Sequence, residues 1–210
     1  EKNALPFITG TICAHRCQNK CTRNFYDESI HIRDAKLVAA AHGYDALMAS
    51  IRPTEKLPGK KAAIIGGGPT GIAAAYFLAR GGVQTTIFER EEKLGGVPRY
   101  VIPAFRISDE ALDKDVALME RLGVEVKCGA PAPSVAELKK MGYTHILLAT
   151  GAWQAGELGI PGNVRGVIAW MKEMKQQVKP CLEGHVVVVG AGNTAMDAAR
   201  VAKRMGAASS

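Results

Sequence analysis

Three cysteines spaced four residues apart, Cys13, Cys17 and Cys21, and two glycine-rich loops carry the chemistry that can be read from this chain; the loops are Gly66-Gly67-Gly68-Pro69-Thr70-Gly71 and Gly190-Ala191-Gly192-Asn193-Thr194-Ala195. Thiolates are the usual ligands of iron–sulfur clusters and of zinc. A G-x-G-x-x-G or G-x-G-x-x-A loop between a strand and a helix brings backbone up to a pyrophosphate. Its first glycine makes the tight turn, its second admits the phosphate, and its third position must be small so that helix packs on strand. The helix N-terminus adds amides without intrahelical partners. Two such loops imply two nucleotides, which a redox protein needs when hydride passes from a nicotinamide to a flavin. The cysteines then suggest an exit for electrons.

The first loop has a full set of supporting elements. Ala62 to Ile65 is a short apolar run, Thr70 to Arg80 is alanine-rich and helical, Gly81-Gly82 stops that helix, and Val83 to Phe88 reads as a second strand. Glu89 closes this βαβ unit, where its carboxylate could accept hydrogen bonds from ribose hydroxyls. Further along, Gly95-Gly96 and Thr150-Gly151 let backbone pass close to a cofactor because glycine has no Cβ. The second loop follows the four valines 186–189 and opens a helix carrying Asp197, so the same phosphate logic predicts a nicotinamide nucleotide there.

Thiols at i, i+4 and i+8 fall on one face of a helix, or converge in a looser turn. A cubane cluster takes four ligands and this group supplies three, so zinc and a purely structural role stay open beside the iron–sulfur reading. His15 sits off the cysteine face, and Cys128 and Cys181 read as isolated small residues.

The chain has 210 residues, 47% of them hydrophobic and 22% charged, an ordinary globular composition. Its net charge of +7 is scattered and only 6% of residues are aromatic, so no nucleic-acid stacking platform is expected. No apolar run approaches a membrane span and no secretion signal is read, so a cytoplasmic protein is expected, and an odd count of five cysteines with three clustered points to metal or cluster binding rather than a disulfide framework.

Composition divides the chain into residues 1–58, helical and cysteine-bearing with a Pro-containing linker, 59–180, a first dinucleotide domain, and 181–210, the opening βα unit of a second. The first segment holds a helix over Asp34 to Met48. Ser108 caps a helix with Leu112, Val116, Met119 and Leu122 on one face, and Val124 to Cys128 follows as a strand. Ser134 and Glu137 form a capping box. His145 to Ala149 reads as a strand covered on both faces, Val167 to Val178 as a helix, His185 to Val189 as a strand, and Asn193 to Met205 as the last helix.

In this order the motifs resemble the glutamate synthase small-subunit family, which includes the N-terminal flavin region of dihydropyrimidine dehydrogenase and the flavoprotein part of selenate reductases. The likeness is carried by Thr11 to Cys21, Gly66 to Gly71, Leu94 to Pro98, Ile102 to Arg106, Ala149 to Ala152, Ile160 to Gly162 and Gly192 to Asp197, and covers nearly the whole chain. It implies an α/β, Rossmann-like two-dinucleotide-binding flavoprotein fold, incomplete here and preceded by a small helical cysteine-bearing segment. It also implies that NADPH (or NADH) reduces FAD, and that electrons leave through a [4Fe-4S] cluster to a downstream reductase or synthase domain or subunit. By position, Gly66, Gly68, Pro69, Thr70, Gly71, Glu89, Arg90, Leu94, Gly95, Gly96, Arg106, Thr150 and Gly151 would line FAD. Gly190, Gly192, Asn193, Thr194, Ala195 and Asp197 would belong to the nicotinamide site, and Cys13, Cys17 and Cys21 would ligate the cluster. No acid/base side chain is expected to be essential, since the cofactors carry the chemistry. Family members have a further cysteine group upstream and resume the FAD domain after the nicotinamide domain, so the chain is expected to be part of a longer polypeptide. A non-catalytic nucleotide-binding scaffold is the alternative from another functional class.

Overall fold

Short β-rich runs alternating with alanine- and leucine-rich segments should give a parallel sheet with crossover helices. The computed structural model describes residues 2–154, 156 and 159–210. Its sheet has four parallel strands in the order β3-β2-β1-β4: β1 (Lys61–Ile65), β2 (Gln84–Phe88), β3 (Glu125–Lys127) and β4 (His145–Leu148). The chain steps outward from β1 to β2 and β3, then returns to the other side of β1 for β4. This makes the C-terminal end of β1 a topological switch point, where open α/β sheets bind ligands.

Helix α3 (Pro69–Arg80) follows β1, and α5 (Asp109–Glu120) packs on α3, burying Ile64, Ile72, Ile87, Leu112 and Met119 in one core. Ser108 caps α5 by accepting from Ala111 N, and Ser134 with Glu137 completes both halves of a capping box on α6 (Val135–Lys140). On the opposite face of the sheet, Leu138 and Tyr143 cover Ala63 and Phe88.

The N-terminal segment comprises α1 (Pro6–Thr11), two 3₁₀ turns at Gln18–Lys20 and Thr22–Phe25, and α2 (Ile32–Ser50), which is longer than the sequence pattern predicts. Asp115 of α5 fastens this segment: its two carboxylate oxygens accept from Phe7 N at 3.0 Å and Ile8 N at 2.7 Å, capping α1 from another part of the chain. Burial pushes the Asp115 carboxyl up to about 6, against the lowering effect of those two amides. Short α4 (Gly96–Tyr100), α7 (Val167–Gln176) and α8 (Asn193–Arg204) complete the elements, and no helix among the described residues is long and apolar enough to cross a membrane.

Two expectations fail in a shared way. Strand β4 is not covered on both faces: among the described residues it has β1 as its only ladder partner, and Leu148 is 67% exposed. Residues 185–189 do not form a ladder strand; a single parallel bridge pairs His185 with Ser209, and Val187 is 86% exposed. An apolar run becomes a buried strand only where neighbours supply hydrogen bonds and cover. Among the described residues these neighbours are missing at both places. Helix α7 ends at Gln176, two residues before the predicted boundary.

Candidate functional site

The loop after β1 is built so tightly that glycine is obligatory at positions 66 and 71. Gly66 has φ of +109°, and a Cβ there would lie 2.4 Å from Ala149 O; a Cβ on Gly71 would lie 2.0 Å from Gly66 O. Gly68, extended at φ −76°, caps α3, and Pro69 occupies the first helical turn, where its missing N–H is no loss. The N–H groups of Gly68, Thr70 and Gly71 have no acceptor among the described residues, so they are available to an anion at the helix N-terminus.

Glu89 ends β2 and is 7% exposed. Its Oε2 accepts from Gly67 N at 2.6 Å and its Oε1 from Glu91 N at 2.9 Å, so the carboxylate braces the phosphate loop itself. A carboxylate has about four lone-pair directions, which leaves acceptor capacity for a ribose hydroxyl. The diglycine lies against the same loop: Gly95 N donates to Gly67 O at 2.8 Å, and a Cβ on Gly96 would come within 2.8 Å of Gly68 Cα. Leu94 is buried under Gly67. The Ala149–Thr150 peptide after β4 lies directly over Gly66, and the chain runs on through Thr150 and Gly151. Together with Arg90, Trp153 and Gln154 they line an open cleft, in which the Arg90 guanidinium stands 5.4 Å from the Trp153 ring centroid.

These residues therefore fit FAD, since glycine at 66, 71 and 96 lets the backbone of the cradle close on itself, and the helix presents unpaired amides to its mouth. Arg106 is the exception among the predicted flavin residues. It sits beside Asp197 of the second unit, Nε to Oδ2 3.7 Å, while its neighbour Phe105 packs under the guanidinium groups of Arg200 and Arg204 at 4.3 and 3.9 Å. Side chains assigned by sequence to two different cofactors thus meet each other.

The second loop repeats the backbone geometry of the first in a looser setting. Gly190 has φ of +143° and Gly192 caps α8 at φ −81°, ψ 174°, close to the values at Gly68. Ala195, at the third position, is buried, and its Cβ lies 3.4 Å from where a Cβ on Gly190 would be. Around Gly192 a Cβ would meet nothing within 4 Å, and Asn193 and Thr194 are exposed. The cradle is compatible with a nucleotide pyrophosphate but is open on its outer side.

The cysteines are not gathered. Cys13 precedes the turn at His15, Cys17 is exposed at the start of one 3₁₀ turn, and Cys21 lies between the two turns. Backbone N–H groups of Ile30 and Arg23 draw the Cys21 thiol below its ordinary value. Among the described residues there is no group of three or more His, Cys, Asp or Glu side chains placed to hold a metal ion. As arranged, the three thiols do not fit a cluster.

Sequence patterns alone do not single out Arg99, Asp115, Trp153 or Lys172. Lys172 of α7 bonds Glu91 at 2.6 Å and lies over the Tyr100 and Trp153 rings, tying α7 to the edge of the first site. No spacing rule marks such residues, because their partners are remote in sequence.

Comparison with known proteins agrees with this geometry. A model of the pyridine nucleotide-disulphide oxidoreductase family matches residues 60–209. The chain is 41% identical over 210 residues to YgfK of Escherichia coli (strain K12), assigned as an oxidoreductase, covering 98% of this chain and 20% of that protein. It is 31% identical over 224 residues to the NADPH glutamate synthase small chain of Mycobacterium tuberculosis (strain ATCC 25618 / H37Rv), covering 98% of this chain and 46% of that one. The chain thus spans a fifth to less than half of these relatives. The solved structure of histamine dehydrogenase from Rhizobium sp. 4-9 superposes with a TM-score of 0.52 at 18% identity, over 74% of this chain and 24% of that one, a likeness of fold.

Proposed function

Because this chain belongs to the pyridine nucleotide-disulphide oxidoreductase family, the family of the glutamate synthase small chains, we propose that it is the electron-input module of an NAD(P)H-dependent flavoprotein oxidoreductase. In this reading residues 59–180 bind FAD, residues 181–210 open the nicotinamide-binding unit, and residues 1–58 lead electrons to a partner. The observation that carries it is the first loop, where Gly66, Gly71 and Gly96 let the backbone close into a tight turn beside unpaired helix amides.

Bound flavin supplies a two-electron acceptor that can release electrons singly. The chain's own residues bind and orient. The amides of Gly68, Thr70 and Gly71 receive the pyrophosphate, Glu89 holds the loop and offers an acceptor to ribose, and the Ala149–Thr150 peptide closes over Gly66. The second loop takes the pyrophosphate of NADPH or NADH through the amides at the start of α8. Cys13, Cys17 and Cys21 are proposed as ligands of an iron–sulfur site completed from outside the described residues. Their spacing and the family resemblance support this, and loading would require them to regroup. The acceptor is a downstream reductase or synthase domain or subunit, and a cytoplasmic location, where thiols stay reduced, belongs to the same reading.

Anaerobic reconstitution with FAD, iron and sulfide tests the whole. We expect flavin absorbance at about 450 nm that bleaches on adding NADPH or NADH. A protein that retains FAD without bleaching would favour the non-catalytic scaffold, a reading to which the open second loop lends some support. Absence of both signals would end the proposal.

A further inference from the structure

Arg99 lies in α4, just after the diglycine, and is 5% exposed. Arginine is rarely buried this far unless paired. Its Nε donates to Leu94 O at 2.5 Å and its Nη2 to Asp113 Oδ1 at 2.5 Å. The remaining terminal nitrogen, Nη1, is buried 3.6 Å from Asp109 Oδ1 and makes no hydrogen bond. A buried guanidinium left one bond short calls for a reason, because an apolar side chain of similar volume would pack there at least as well.

That reason lies in what Arg99 grips. The carbonyl it holds belongs to the Leu94–Gly95 peptide, whose nitrogen donates to Gly67 O at 2.8 Å, and Gly67 N in turn donates to Glu89 Oε2 at 2.6 Å. Asp113, Arg99, the Leu94–Gly95 peptide, Gly67 and Glu89 therefore form one continuous run of hydrogen bonds from α5 to the end of β2. Gly95 has φ of +131° and Gly96 of +55°. Two successive glycines have little conformational preference of their own, so the peptide plane is set by its bonds to Arg99 and Gly67. A Cβ on Gly95 would meet Arg99 Cβ at 2.8 Å, so the arginine also fills the space behind the turn.

We infer that Arg99 is a positioning residue of the flavin site, orienting Gly95-Gly96 against the phosphate loop so that the cradle is formed before the cofactor arrives. This rests on the FAD reading above. It gives Arg99 no contact with the reacting atoms; its effect passes through the diglycine.

The experiment titrates flavin-free protein with FAD, reading affinity by flavin fluorescence and, separately, the melting temperature of the flavin-free protein by circular dichroism. Arg99→Met keeps the stem and removes every donor; affinity should fall about tenfold, the worth of a charge-assisted hydrogen bond. Arg99→Lys keeps one donor within reach of Leu94 O and should recover about half of that loss on a logarithmic scale. Wild-type affinity in Arg99→Met, or Arg99→Lys no better than Met, would overturn the inference, as would a loss explained by the unfolded fraction alone. Should Arg99→Met not fold, Asp113→Ala decides: it removes the exposed acceptor of Nη2, and affinity should drop about threefold with melting unchanged. No change there also overturns the inference. Wild type that binds no FAD removes the flavin reading and this inference together, whereas wild type that binds while all variants match it removes this one alone.

Discussion

The two glycine loops share a backbone and differ in everything around it. Gly68 and Gly192 cap their helices with nearly the same dihedral angles, and Gly66 and Gly190 both make the turn with positive φ. Yet the first loop is enclosed by Ala149, Leu94, Glu89 and Gly96, while a Cβ on Gly192 would stand in open space. A local motif specifies the turn, and its surroundings decide whether the turn becomes a rigid cradle.

Substitution at equivalent positions tests that contrast most sharply. Gly66→Ala should destabilise the protein by about 3 kcal/mol and abolish FAD retention, because the new methyl would sit on Ala149 O, whereas its counterpart Gly190→Ala meets only Ala195 Cβ at 3.4 Å and should cost about 1 kcal/mol, the strain of its positive φ. Equal effects in thermal melts would dissolve the distinction.

The carboxylates give a smaller contrast in the same sense. Glu89→Gln swaps an acceptor pair for a single acceptor facing two amides, and should lower stability by about 2 kcal/mol. Asp197→Asn weakens only a 3.7 Å ion pair with a partly exposed arginine, so about 0.5 kcal/mol is expected in urea unfolding.

Acidity distinguishes the two regions as well. The folded-state value of Asp115, about 6, lies above the usual carboxylate value, so its protonated form is favoured on folding. Its contribution is fully present below about pH 4 and is lost as pH rises through 6. Hydrogen exchange at α5 and α1 should therefore slow as pH is lowered from 7 to 5, after correction for intrinsic rates. Exchange at α8 should show no such change, and Asp115→Asn should flatten the difference.

Away from both loops, Ser134→Ala breaks the capping box of α6 and should cost about 1 kcal/mol without touching flavin binding. A loss of flavin in that variant would show that the first site depends on its periphery more than its enclosure indicates.

Much of the first region was legible because its signals are local. The caps at Ser108 and Ser134, the turn at Gly66 and the helix from Pro69 each rest on residues a few positions apart. The exposure of β4 and the missing ladder at 185–189 were not legible, since an apolar run carries no mark of whether neighbours will cover it. The Arg106–Asp197 contact was hidden for a related reason: each residue has a plausible local role, and only the packing of α8 on the loop at Phe105 brings them together. Arg99 and Asp115 show the same limit, as buried charges whose partners are set by tertiary structure.

The Asp115 anchor also has a consequence for synthesis. Phe7 and the carboxylate that caps it are 108 residues apart, so the N-terminal segment leaves the ribosome long before its anchor exists. At ordinary translation speeds that interval is roughly 5 to 20 s. For that time Cys13, Cys17 and Cys21 belong to a segment not yet held by its anchor, open to whatever in the cell delivers metal or oxidises thiols, and only the arrival of α5 ends it.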